Sequence, residues 1–132
     1  MLSIEEKKAV IKYRIEKAHK TYEEAQAVAK MGYWNLAGNR LYYSFYHMAS
    51  ALLLDKGFSA RTHAGMIHLF GEKFILTGLL DSAYGRFVSR LFELRQSGDY
   101  DDLFEATEEE VSPYFEKTKN LLTDLRQLIT LV

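Results

Sequence analysis

Apolar positions near the start of the chain, Ile4, Ile11, Ile15, Ala18, Tyr22, Ala25 and Ala29, recur at spacings of three, four and seven residues. That is the repeat of one face of an α-helix. With Ser3 and Glu6 spaced as a capping box, it predicts one long helix over about residues 4 to 31. Gly32 ends it. A second helix runs from near Asn35 to Lys56, where "DKGFS" breaks it with Gly57 at the C-terminal cap. A third starts at Arg61 or Thr62 and fades near Ile75, before "LTGLLD". Asp81 is placed to cap a fourth, whose stripe of Tyr84, Phe87, Val88, Leu91 and Leu94 ends where "SGDYDD" interrupts.

The last helix starts at Thr107, which makes a second capping box with Glu110, and turns Val111, Tyr114, Phe115, Thr118, Leu121, Leu122, Leu125, Leu128 and Ile129 inward. Pro113 either kinks that helix or moves its start to Ser112, with proline in the favoured first helical position. Short turns between long amphipathic segments predict an all-α fold, an antiparallel up-and-down bundle of about five helices. The 132 residues suit a single domain, 1–132, with one core. The acidic stretch "GDYDDLFEATEEE" is expected to be its least ordered part.

The second helix departs from simple amphipathicity. In "NRLYYSFYHMASALLL", residues 39–54, Leu41, Phe45, Met48 and Leu52 fall on one face at 100° per residue. Tyr42, Ala49 and Leu53 widen that face, and Leu36, Tyr43 and Leu54 reach towards the far side. Such a rod has to be covered on more than one side, by its own bundle and by any second copy of the chain. Arg40, Ser44, His47 and Ala51 lie along one line down its flank, because seven residues make almost two turns.

Three readings of Arg40 and His47 stay open. They are a structural pair satisfied by a carboxylate and a backbone carbonyl, or they line a dimer seam without chemistry. In the third they form a small active site, with imidazole moving protons near neutral pH and guanidinium gripping phosphate oxygens. That pair suits transesterification at RNA, in which a 2'-hydroxyl attacks its own phosphodiester and arginine stabilises the added negative charge.

A formal charge of -1 argues against a surface that holds long duplexes through their phosphates, so any nucleic-acid contact is local. With no cysteine there is neither a disulfide nor a thiolate metal site. "MLSIEEKKAV" is charged from its first turn, and no run approaches the roughly 18 apolar residues of a membrane span. A soluble, cytoplasmic protein without membrane contact is expected.

Three separated segments, "NRLYYSFYHMASALLL", "GFSARTHAGMIHLFGEKFILTG" and "FVSRLFELRQSGDYDD", resemble the HEPN domain family over about Tyr33 to Asp102. The resemblance implies a helical bundle that often forms a homodimer and is often encoded beside a minimal nucleotidyltransferase in toxin-antitoxin pairs. In active members an arginine and a histidine with four to six residues between them form a metal-independent RNase site across the dimer. "RLYYSFYH" maps these onto Arg40 and His47, at the upper limit of that spacing. Leu41 stands where RNase members often carry a polar residue, and Ala49 where one kind of HEPN toxin carries a tyrosine that accepts a nucleotide.

Tyr43, Ser44, His63 and Arg95 are the candidate substrate-binding residues beside that pair, with RNA or a nucleotide as ligand. Each has a plainer reading. "ARTH" reads as a helix cap, "RQSGDYDD" as a helix end bonded to a loop, and Tyr42, Tyr43 and Tyr46 as core or interface as well as stacking surface. A di-iron centre needs two Glu-x-x-His pairs, and only Glu16 to His19 has that spacing, so no metal or other cofactor is expected. "AGMIHLFG" lacks the lysine and the strand of a phosphate-binding loop.

Overall fold

A computed structural model describes residues 1–132. Helix α1, Ile4–Lys30, begins with a complete capping box: Ser3 Oγ accepts from the Glu6 N–H, and the Glu6 carboxylate accepts from the Ser3 N–H, both at 3.1 Å. At its end Gly32 takes a φ of 83°, a left-handed conformation that favours glycine, and the chain reverses into α2, Trp34–Asp55.

The inward face read from the sequence is the centre of the core. Leu41, Phe45, Met48 and Leu52 are all fully buried, as are Ala37, Tyr42 and Ala51. At about 1.5–3 kcal/mol for each large side chain removed from water, that face is the main reason the other helices assemble around α2. α2 packs against α1, α4 and α6 and touches the shorter elements as well. At Gly38 α4 comes so close that an added Cβ would lie 3.3 Å from the Leu94 side chain.

Helix α3, His63–Phe70, is capped by Thr62, whose Oγ accepts from the Gly65 N–H at 2.9 Å. It widens into one π-helical turn, Gly71–Ile75, with Phe74 in the core. Asp81 accepts from the Ala83 N–H at 2.8 Å at the start of α4, Ala83–Tyr100.

That helix continues past the point where "SGDYDD" was expected to break it. Arg95 and Asp99, one turn apart, pair at 2.9 Å across the last turn, and Gly98 faces Asn35 of α2. Asn35 also accepts from the Ala106 N–H at 2.8 Å, which ties the acidic stretch to α2.

The Pro113 alternatives turn out to coexist. Thr107 and Glu110 close a capping box on one short turn, α5, Glu108–Val111, and Pro113 then opens α6, Pro113–Leu128, in the first helical position. The fold is all-α, with five helices of a full eight residues or more and α5 as a prelude to the last. No helix is long and apolar enough to cross a membrane.

Beyond α6 the chain is held by Asp55 at the end of α2. Its carboxylate accepts from the Leu131 N–H at 2.8 Å, from the Thr130 N–H at 3.1 Å and from the Thr130 hydroxyl at 3.3 Å, and pairs with Lys56 at 3.1 Å. Burial alone would push this carboxyl up. The Leu131 and Thr130 N–H groups and Lys56 outweigh it and hold the group below its usual range. Asp55→Ala should therefore lower stability by about 1–3 kcal/mol in urea denaturation, with Asp55→Asn intermediate. An unchanged midpoint for Asp55→Ala would show that this anchor contributes nothing.

Candidate functional site

With most of α2 enclosed, the flank that stays partly open carries Arg40, Tyr43, Tyr46, His47 and Ser50. Their spacing of three or four residues keeps them on one side of the helix. Ser44 and Ala51, on the line drawn from Arg40 through His47, are fully buried instead. The Ser44 hydroxyl donates to the Leu41 carbonyl at 2.7 Å, so it turns back on its own helix rather than towards a ligand. Arg40 is long enough to escape the same boundary, its head group reaching out while its stem follows the helix.

Tyr43 is the spacer between the two predicted catalytic residues. The Arg40 guanidinium lies 5.4 Å from the Tyr43 ring centre, and the Tyr43 and His47 rings are 6.1 Å apart. Arg40 donates through Nε and Nη2 to Asn39 Oδ1 at 3.0 and 2.8 Å, and through Nη1 to Glu24 of α1 at 3.3 Å. Its side chain keeps 31% exposure, and a guanidinium has donors left over after three bonds.

His47 is half-buried against Tyr43 and Tyr46, and neither ring nitrogen is sealed away without a partner. Burial, and then repulsion from Lys17, Arg40 and Arg14, push its pKa down to about 4, against a smaller upward pull from Glu24. At neutral pH the ring is an uncharged imidazole with one nitrogen able to accept a proton.

The other two predicted residues join the far side of Tyr43. His63 Nδ1 is 2.7 Å from Tyr42 Oη, and its ring stacks on Tyr46 at 4.5 Å. Burial pushes the Tyr42 phenol up, and burial followed by Arg95 pushes His63 down, so this pair is neutral. Arg95, only 9% exposed, donates to Tyr43 Oη at 2.9 Å and lies 5.3 Å from the Tyr43 ring centre. Its Nε sits 2.9 Å from Asp99 Oδ2 without being directed at it, so this contact is an ion pair more than a hydrogen bond.

Asp99 also accepts from Asn39 Nδ2 at 2.9 Å. A polar chain therefore runs Arg95, Asp99, Asn39, Arg40, Glu24, from α4 across α2 to α1. Arg40, Tyr43, His47, His63 and Arg95 are brought together, and Ser44 is not. The site residues that sequence reasoning missed are Asn39 and Glu24, and its stacking tyrosine Tyr42 instead holds His63. Arg95–Asp99 was legible as a pair one helical turn apart, but Asn39 and Glu24 matter only because of how α1 and α4 rotate against α2.

Comparisons with known proteins agree with this architecture. A family model described as HEPN domain matches residues 11–128. A Thermotoga maritima protein named "UPF0332 protein" is 36% identical over 124 residues, 94% of each chain. A Methanocaldococcus jannaschii protein named "Putative toxin MJ0142" is 33% identical over 73% of this chain and 65% of its own. The crystal structure of TT1696 from Thermus thermophilus superposes with a TM-score of 0.76 over 89% of this chain and 97% of that one, at 15% identity, a likeness of fold. The bundle, the flank on α2 and these matches lead to one assignment: the chain belongs to the HEPN domain family.

Proposed function

We propose that this HEPN domain acts on RNA as a metal-independent endoribonuclease, working as a homodimer and as the toxin of a toxin-antitoxin pair. The observation that carries the reading is the shared, partly open flank on which Tyr43 separates Arg40 from His47. The toxin names of two archaeal relatives support it. In the proposed reaction the neutral His47 takes the proton of a 2'-hydroxyl, and the resulting oxyanion attacks the adjacent phosphorus. Arg40 stabilises the charge gathered on the phosphate oxygens. The bond to the 5'-oxygen breaks and that oxygen receives the proton from His47, leaving a 2',3'-cyclic phosphate and a 5'-hydroxyl.

A second reading is favoured by the way Arg40 is already engaged with Asn39 and Glu24. In it the domain is a noncatalytic binding partner of a nucleotide or of a separately encoded minimal nucleotidyltransferase, and the two residues shape the contact surface.

Cleavage of RNA by purified protein in EDTA separates the readings. His47→Ala and Arg40→Ala should each lose about 10²-fold or more in rate while staying folded. Wild-type activity in His47→Ala would remove the proposed base. The low pKa of His47 adds a pH signature: because the protonated ring cannot accept a proton, kcat/KM should fall only as pH drops through about 4. An acidic limb near the ordinary value of 6.5 would place the essential base elsewhere.

A further inference from the structure

We propose that Lys17 and Lys20 on the outer face of α1 form a phosphate-binding track that lays single-stranded RNA against Arg40 and His47. This deepens the ribonuclease reading and rests on it for the identity of the ligand. The geometry starts from two hollows along the seam between α1 and α2. One, of about 390 Å³, is lined by Tyr13, Glu16, Lys17, Lys20, Glu24 and Arg40 among others. The second, of about 200 Å³, lies where Arg14 of α1 meets Tyr46, His47 and Ser50 of α2, and is also lined by Phe58, Ser59 and Ala60 of the following loop and by Met66 of α3. Arg40 opens into the first and His47 into the second, so a strand that follows the seam passes both.

The cations of the first hollow are not equally available. Arg40 is engaged by Glu24 at 3.3 Å, whereas Lys17 and Lys20 are exposed and within ion-pair distance of no carboxylate. Lys17 Nζ lies 5.7 Å from the centre of the Tyr13 ring, which is itself 60% exposed. An exposed aromatic face beside unpaired ammonium groups is the arrangement that takes a base and its phosphate together. Glu16 is the hollow's uncommitted carboxylate, and Glu24 the one that shares Arg40 with a bound phosphate.

The same charges govern His47. The charged or titratable groups around it are Arg14, Lys17 and Glu24 from α1, and Arg40, Tyr43 and Tyr46 from its own helix. After burial, Lys17 is the largest influence holding the ring unprotonated. Phosphates that neutralise this row relieve the repulsion, and the imidazole becomes a stronger base once a strand is in place. Binding and activation then share residues.

The test uses the full chain and a short single-stranded RNA oligonucleotide with 2'-O-methyl groups, which binds but cannot be cut. The variant Lys17→Gln/Lys20→Gln should bind several-fold more weakly, with a salt dependence shallower by about 0.7 for each lysine. Lys119→Gln, on α6, should match wild type. In proton NMR titrations His47 should rise towards its ordinary pKa when wild type binds the oligonucleotide, and in the free Lys17→Gln protein. Wild-type affinity and salt slope in the double variant, or no binding by wild type, would overturn the track. Lysine-dependent binding with no cleavage of ordinary RNA would support the track and overturn the catalytic reading. Cleavage indifferent to both lysines would do the reverse.

Discussion

The whole arrangement depends on a helix that has almost no side to give to water. α2 buries residues around most of its circumference, from Leu41 and Phe45 on one side to Ala51 and Leu53 on others. Water excluded from such a helix has to be excluded by other helices, and α1, α4 and α6 each supply one wall. The remaining walls are less complete. Where they fail to meet, α2 presents aromatic rings and cations instead of aliphatic side chains.

That gap explains how two arginines can sit in an otherwise greasy neighbourhood. A guanidinium at 9% exposure would be expensive if its charge had nothing to face. Arg95 faces Asp99 and the rings of Tyr42, Tyr43 and Tyr100, at 5.7, 5.3 and 5.2 Å. Planar, weakly hydrated arginine suits such stacking better than lysine does. Asn39 then joins this buried pair to the more open one of Arg40 and Glu24, so the polar groups behave as one network.

Much of the fold was legible because it follows from local chemistry. The capping boxes at Ser3 and Thr107, the inward quartet of α2, and Pro113 as a helix start are all properties of a few neighbouring residues. The persistence of α4 to Tyr100 was not, since Asp99 in its last turn is held by Asn39 of α2 as well as by Arg95. In the site, the line from Arg40 to His47 was correct in register. Its tilt was not visible: spacing gives the angle between two side chains but not where the neighbouring helices draw the edge of the core. Hence Ser44 and Tyr43, equal candidates from spacing, part company, the serine closing on Leu41 and the tyrosine bridging both arginines.

The near contact at Gly38 has a wider consequence. An added methyl group there would meet Leu94, and the next residue along α4 is Arg95. The reach of that guanidinium to the Tyr43 hydroxyl is thus gauged by a position with no side chain at all. A lone hydrogen sets the calliper, and drift in helix spacing during divergence would detune the aromatic cradle without altering one of its members.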